Sequence, residues 1–329
     1  MFKYLITVSP LGFMYGSSGG FLSPENLVGR SGAKFPPEAA TLSGLFFSAN
    51  KVKSYICPKE LSDNLFVAGP FWAKSDNPEY FYLPIPWHKI IAKKGVDEWK
   101  IQTGKWHREF EDLDPDYSWQ TVNSWDNKPA VIKKNGDIAD IPWKYVPILH
   151  PKTKDDERCT LAEDGLFLEN AVQMDDENCL VYLSTHPLGE DGWYRFGGEN
   201  HLVEIKSMKL DDDSPILELL RQPIQRSFAL IAPGIWGSNK FSFRYPKNED
   251  FSKKRPEMLT DKPISYRYRA KGQMGRGRYA VPPGTVYLLR EPLDKTWWDF
   301  PENWFPKEGF SLKQVGCGLC LPIEIQGVE

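Results

Sequence analysis

The chain has 329 residues, a length that suits one large domain or two of ordinary size. Its net charge is −3, so a nucleic-acid partner requires a local concentration of positive charge. The five cysteines are odd in number and irregularly spaced, which argues against a disulfide framework. We therefore expect a cytoplasmic protein with reduced thiols, and no stretch reaches the roughly 18–20 apolar residues of a membrane span.

The first half of the chain opens with a predicted strand and a predicted helix. Residues 2–8 are β-branched and aromatic, which is typical of a strand, and a glycine-bearing loop follows. Apolar residues at helical spacing come after Pro36 and Pro37, which suit a first helical turn: Leu42, Leu45, Phe46 and Ala49. Strand, loop and amphipathic helix in this order open a βαββαβ unit. Residues 66–146 indicate hairpins and insertions, and the charged residues 152–158 indicate a domain boundary.

The second half repeats the pattern more weakly. Strands are predicted at 179–185, 201–208, 226–232, 285–289 and 321–325. A short helix is predicted to end at Leu220, with Asp213 or Ser214 as its cap. We therefore expect an α+β fold of two ferredoxin-like units with hairpin and loop insertions, one at 1–155 and one at 156–329.

The main functional signal is a basic run in the C-terminal third. Residues 264–290 contain no acidic residue, and glycines alternate with the charges in part of the run. Glycine allows close approach of the backbone to phosphate, arginine adds bidentate contacts, and nearby tyrosines are suited to stacking on unpaired bases. The basic residues of the run are Arg267, Arg269, Lys271, Arg276, Arg278 and Arg290.

Two further glycine-bearing segments are candidates for the same surface. One is the loop that holds Arg30 and Lys34, just before the predicted helix. The other contains Gly316 and Gly318, which either cradle a sugar–phosphate backbone or only turn a corner. The predicted RNA-binding set is Arg30, Lys34, Arg267, Arg269, Lys271, Arg276, Arg278, Gly316 and Gly318.

Signatures of metal or cofactor chemistry are weak. No two histidines have metal-ligand spacing, and neither a phosphate-binding loop nor a GxSxG turn is present. Cys317 and Cys320 form a CxxC, but a structural zinc site needs a second pair and a redox CxxC normally opens a helix. We therefore expect neither a cofactor nor a metal.

Short segments along the chain together resemble the RAMP superfamily of CRISPR proteins. They match best the branch formed by the third subunit of type III-B (Cmr) effector complexes, a relative of the Cas-five group. The matching segments are Tyr4-Leu-Ile-Thr-Val-Ser-Pro-Leu-Gly12, Phe35-Pro-Pro37, Thr41-Leu-Ser-Gly44, Phe196-Gly-Gly-Glu199 and Ala280-Val-Pro-Pro-Gly284-Thr-Val-Tyr287. Gly309 and Gly316-Cys-Gly318 look like a degenerate form of the superfamily's glycine-rich loop.

The resemblance implies two ferredoxin-like (RRM-like) units and a non-catalytic role. The implied ligand is the repeat-derived 5′ handle of the CRISPR RNA. The implied partners are the large polymerase/cyclase-like subunit and the backbone RAMP subunit. This chain departs from the branch in two places: relatives often have an Arg/Asp-containing motif at residues 16–20, and cysteines lie within the glycine-rich loop.

Two alternatives remain open. The first is a CRISPR-RNA-processing endoribonuclease, which commonly uses a histidine near the first helix, whereas the first histidine here is His88. The second is a β-rich carbohydrate- or protein-binding module with Trp297, Trp298 and Trp304 as a sugar platform. For Trp297 and Trp298 we prefer packing in the core or at an interface.

Overall fold

The computed structural model describes residues 1–15, 35–151, 159–160, 166–198, 200–246, 251, 255–267, 269–270 and 273–328. Four α-helices lie in these ranges: α1 (Ala39–Lys53), α2 (Pro58–Asn64), α3 (Pro129–Asn135) and α4 (Pro215–Arg221). The two helices predicted from the sequence are confirmed as α1 and α4. In α1 the buried face includes Leu42, Leu45 and Phe46, the residues that predicted it. None of the helices in the described ranges is long and apolar enough to cross a membrane.

The strands of the described ranges are mostly short, as the proline and glycine content suggests. In chain order they are β1 (Tyr4–Pro10), β2 (Met14–Tyr15), β3 (Val67–Lys74), β4 (Tyr82–Pro84), β5 (Lys89–Ile91), β6 (Val96–Glu98), β7 (Lys100–Gln102), β8 (Lys105–His107), β9 (Trp119–Thr121), β10 (Ile138–Ala139), β11 (Trp143–Pro151), β12 (Leu166–Met174), β13 (Asn178–Ser184), β14 (Gly192–Phe196), β15 (His201–Lys209), β16 (Ser227–Leu230), β17 (Trp236–Gly237), β18 (Ser242–Phe243), β19 (Glu257–Leu259), β20 (Ile264–Tyr266), β21 (Arg269–Ala270), β22 (Gln273–Met274), β23 (Arg278–Ala280), β24 (Val286–Leu288) and β25 (Cys320–Pro322).

The larger sheet has eight strands in the order β10-β9-β4-β3-β13-β1-β15-β14. Four neighbouring strands of this sheet, β3-β13-β1-β15, are antiparallel and take the order 2-3-1-4 when numbered along the chain. Along the chain, helix α1 lies between β1 and β3, the first and second of these strands. Between the third and fourth, the chain forms β14, which pairs with β15 at the edge of the sheet.

The second sheet repeats this order on a smaller scale. It has four strands, arranged β19-β24-β16-β25, and all its pairs are antiparallel. Numbered along the chain, the order is again 2-3-1-4. The model is therefore α+β with mostly antiparallel sheets, as predicted.

The predicted boundary at residues 155 and 156 does not separate the two sheets. Strands β1 and β3 lie before it and pair with β13, which lies after it. The charged residues 152–158 lie outside the described residues, and β11 and β12, the strands before and after them, pair with each other.

One continuous hydrophobic core joins both sheets and uses much of the aromatic content. Phe2 at the start of the chain contacts Trp297 and Trp298 near its end, with ring centroids 6.0 and 4.9 Å apart. Trp297 and Trp304 are only 1% and 2% exposed, so they do not form an open sugar platform. The preferred interpretation of Trp297 as a packing residue is confirmed.

Candidate nucleic-acid interface

The basic run of the C-terminal third folds into a β-hairpin. Strand β20 pairs with β23, and β21 pairs with β22 nearer the turn. The hairpin is inserted between β19 and β24, the second and third strands of the smaller sheet. We call residues 264–280 the basic arm. The hairpin therefore contains four of the predicted arginines, Arg267, Arg269, Arg276 and Arg278.

Two arginines of the basic arm have described side chains that suit the prediction. Arg276 is exposed. Arg267 is half-buried, and its Nε donates a hydrogen bond to the carbonyl oxygen of Gly275 at 2.8 Å, so it also joins the two strands. The side chain of Arg269 and the whole of Lys271 lie outside the described residues.

Arg278 differs from the prediction, because its side chain is buried in a fixed network. Nε donates to Oε1 of Glu308 at 2.7 Å. Nη1 and Nη2 donate to the carbonyl oxygens of Ser238 and Asn239 at 3.1 and 3.0 Å. The residue is 4% exposed, so it anchors the arm and does not line an open surface.

The glycine-rich loop also differs from the prediction, because it packs inside the protein. Gly316 has φ +72°, and a Cβ there would lie 2.6 Å from Cα of Ala68 in β3. Gly318 has φ +65°, and a Cβ there would lie 2.3 Å from the ring of Trp236. These glycines allow backbone to approach core residues, so their close approach serves packing rather than phosphate contact.

The two cysteines of this loop are buried with it. The backbone N–H of Ile235 donates to Sγ of Cys317 at 3.0 Å. Burial raises the pKa of Cys317 to about 12 and raises the pKa of Cys320 well above its usual value. Both thiols are therefore protonated at neutral pH, and the thiolate is the form that binds metal or reacts. Among the described residues, no group of three or more His, Cys, Asp or Glu side chains is placed to hold a metal ion.

Lys313, next to the loop, is a cation held within the core. Its Nζ donates to the carbonyl oxygens of Trp298 and Phe300 at 2.8 and 2.7 Å. Nζ also lies 5.4 Å from the ring centroid of Trp297. Burial lowers the pKa of Lys313 from its usual value. Its charge therefore supports the fold and is not presented to a ligand.

Arg30 and Lys34 lie outside the described residues, but the two ends of their loop are described. Tyr15 stacks on His201 with centroids 5.6 Å apart, and its backbone N–H donates to Nε2 of His201 at 3.0 Å. At the other end, Phe35 contacts Trp143 edge-on, with centroids 5.1 Å apart. Both ends of the loop therefore start from the β11–β12 hairpin, since Tyr15 belongs to β2, which pairs with β12.

A second group of titratable residues lies away from the basic arm. His88 is 1% exposed, and its Nδ1 has no hydrogen-bond partner among the described residues. Burial, together with neighbouring Lys89, lowers the pKa of His88 well below its usual value. Lys89 donates from Nζ to the carbonyl oxygen of Trp125, and burial lowers its pKa to about 8. Because both side chains are buried, an RNA phosphate does not reach them in this conformation.

The anchor at Arg278 brings two turns to the base of the arm that sequence reasoning missed. Ser238 and Asn239 belong to the turn between β17 and β18, and Glu308 belongs to a turn that starts at Lys307. The backbone N–H of Lys307 donates to Oδ1 of Asn239 at 2.7 Å, which joins the two turns. The partners of Arg278 lie 30 to 40 residues away along the chain, so a local pattern does not indicate them.

Comparison with solved structures gives matches over most of the chain. A chain in the cryo-EM structure of the type III-B Cmr-beta bound to cognate target RNA is 12% identical, with a TM-score of 0.51 and coverage of 86% of each chain. A chain in the crystal structure of the Csm3–Csm4 subcomplex of the type III-A CRISPR-Cas interference complex is 10% identical, with a TM-score of 0.47 and coverage of 98% of this chain and 99% of that one. No protein-family model and no curated protein sequence matches the chain.

At 12% identity, the similarity to the Cmr-beta chain establishes the fold. The predicted resemblance to a subunit of type III-B (Cmr) complexes is confirmed as a likeness of fold. The chain has the fold of a type III CRISPR effector subunit.

Proposed function

We propose that this chain is a non-catalytic RNA-binding subunit of a type III-B CRISPR effector ribonucleoprotein in antiviral defence. It grips the repeat-derived 5′ handle of the CRISPR RNA in the cytoplasm. Its protein partners are the large polymerase/cyclase-like subunit and the backbone RAMP subunit. The observation that carries this proposal is the basic arm, a hairpin with exposed Arg276 on a fold shared with a Cmr-beta chain.

The proposal extends to the architecture. The two sheets have the same antiparallel 2-3-1-4 order, which is the order of a ferredoxin-like βαββαβ unit. We interpret them as two degenerate ferredoxin-like units that share a core. In the first unit, β14 takes the place of the second helix; in the second, the basic arm is inserted between the second and third strands.

The experiment is a binding titration with single-stranded RNA that carries the repeat-derived handle, measured by fluorescence anisotropy at several salt concentrations. Arg276→Ala is expected to weaken binding and to lower the slope of log K against log salt by about 0.7, because one phosphate contact is lost. Lys94→Ala is the matched control, an exposed cation on a different part of the chain. Equal affinities and slopes for wild type and Arg276→Ala would show that the arm does not hold the handle.

The absence of catalysis is part of the proposal and has its own test. His88 is buried, and Nε2 of His201 already accepts a hydrogen bond from the backbone of Tyr15. We expect purified protein to leave repeat RNA intact with and without Mg²⁺. Site-specific cleavage that disappears in His201→Ala would favour the endoribonuclease alternative.

A further inference from the structure

A surface of distinct composition lies at the base of the basic arm, formed by residues that the basic run does not include. Lys240 and Lys307 are exposed, and Phe241 is 64% exposed. Lys240 and Phe241 lie in the turn between β17 and β18, and Lys307 begins the turn that contains Glu308. We call Lys240, Phe241 and Lys307 the turn surface.

The turn surface is held in place by defined contacts. The guanidinium of Arg278 binds the carbonyl oxygens of Ser238 and Asn239 on one side and the carboxylate of Glu308 on the other. Within the first turn, the backbone N–H groups of Lys240 and Phe241 both donate to Oγ of Ser238 at 3.2 Å. The exposed side chains therefore project from an ordered turn whose position relative to the arm is fixed.

The charge of the segments that form and surround the turn surface is predominantly positive. Residues 236–244, 275–280 and 305–311 contain five basic residues and one acidic residue, Glu308. Glu308 is neutralised by Arg278, with Nη2 and Oε1 2.6 Å apart. Four cations then remain without an acidic residue in these three segments: Lys240, Arg244, Arg276 and Lys307. A polyanion is the partner that suits such a surface.

The exposed ring of Phe241 indicates which class of polyanion suits the turn surface. An exposed phenyl ring between two cations along the chain, Lys240 and Arg244, offers a face to a planar group. Single-stranded nucleic acid provides both phosphates and unpaired bases, and base–aromatic stacking needs no particular sequence. Paired bases in a duplex do not expose such faces, and the Asp and Glu side chains of an acidic peptide carry no ring to stack on Phe241.

We infer that the turn surface is a second contact site for single-stranded RNA, in which Phe241 stacks on a base and Lys240 and Lys307 bind the flanking phosphates. This inference rests on the proposed function and extends it to residues outside the basic arm. The bound strand then passes from Arg276 on the arm to the two turns at its base. Arg278 acts as a positioning residue that keeps the two parts of this path together.

The test compares three variants of the full chain in anisotropy titrations with a single-stranded RNA of mixed sequence. Phe241→Ala is expected to weaken binding roughly tenfold with an unchanged salt slope, because a stacking contact carries no charge. The double variant Lys240→Ala/Lys307→Ala is expected to lower the salt slope by about 0.7 for each lysine. Phe47→Ala and Lys51→Ala/Lys59→Ala are matched controls, because these residues are exposed on or beside α1 and α2.

The third variant, Arg276→Ala, separates this inference from the proposed function. If Arg276→Ala weakens binding while the turn-surface variants bind as wild type, the arm holds RNA and the second site is refuted. If none of these variants changes binding, both are refuted. Normal RNA binding by the turn-surface variants combined with failed assembly into the effector complex would identify a protein interface and overturn the inference. All of the substituted side chains are exposed, so unchanged thermal unfolding is expected and verifies that the variants are folded.

Discussion

The basic arm and the glycine-rich loop at 316–318 contain similar residues but differ in burial. Both combine glycine with nearby cations, and both suggested contact with phosphate. In the arm, Arg276 is exposed, whereas at the loop Lys313 is 5% exposed and bonded to backbone carbonyls. At 316–318, glycine allows the backbone to approach β3 and Trp236 in the core, whereas the arm carries an exposed cation beside its glycines. What packs against a glycine therefore decides its role.

The largest effect expected from this comparison is on stability, at Gly318. Gly318→Ala would place a Cβ 2.3 Å from the Trp236 ring at φ +65°. We expect the free energy of unfolding to fall by up to about 5 kcal/mol, from overpacking together with left-handed backbone strain. The measurement is chemical denaturation of purified protein.

Gly309→Ala is the matched control for Gly318→Ala. Gly309 has a similar φ of +85°, but nothing lies within 4 Å of a Cβ built there. The free energy of unfolding of Gly309→Ala is expected to fall only by the left-handed backbone strain, about 1–2 kcal/mol. Equal losses for the two variants would mean that the glycine-rich loop is not packed against Trp236 as described.

The next effect contrasts two arginines that are two residues apart in the arm. Arg278→Ala removes a guanidinium that binds the Glu308 carboxylate and two backbone carbonyl oxygens where Arg278 is 4% exposed, so we expect a loss of about 3–4 kcal/mol in unfolding free energy. Arg276→Ala, at an exposed position, is expected to change stability by less than about 0.5 kcal/mol. Thermal or chemical denaturation of both variants measures the difference. Similar stability losses would contradict the assignment of Arg278 as the anchor.

The pH dependence of the unfolding free energy, a somewhat smaller effect, tests whether the buried Lys89 has a lowered pKa, unlike an exposed lysine. Burial lowers the pKa of Lys89 from 10.5 to about 8. The folded chain therefore holds fewer protons than the unfolded chain between these two values, and stability rises with pH across that window. The rise is expected to reach about 3 kcal/mol, since one pKa unit corresponds to about 1.4 kcal/mol.

Lys89→Met removes the titrating group while keeping a long apolar side chain. Denaturation of wild type and Lys89→Met between pH 7 and pH 10.5 should show this component of the rise only in the wild type. Lys93→Met, at an exposed position, is the control and should keep the wild-type profile. A parallel pH profile for Lys89→Met would contradict the burial of a lysine with a lowered pKa.

The smallest expected effect is on RNA affinity at Arg276. Arg276→Lys keeps the charge but removes the planar fork of donors. The salt slope is expected to match wild type, with affinity reduced only a few-fold, because the phosphate contact persists in a weaker geometry. A drop in slope as large as that of Arg276→Ala would show that the contact depends entirely on the guanidinium.

The sequence by itself determined the features that arise from neighbouring residues. Helix α1 was predicted because Leu42, Leu45 and Phe46 recur at helical spacing, and these residues are buried in it. Alternating and β-branched residues predicted β13 and β15. The basic run was evident from composition alone, and its described strands pair within residues 264–280 because they are close along the chain.

Only the tertiary structure decided which of these features are exposed and which are buried. Arg278 meets Glu308 across 30 residues, and Gly316 meets Ala68 across a much longer separation. The pairing of β1 with β13 likewise unites segments on either side of the predicted boundary. Contacts between distant residues leave no local periodicity in the sequence, because the spacing between partners is set by the chain's path. The roles of Arg278, Gly316 and Gly318 follow from those contacts.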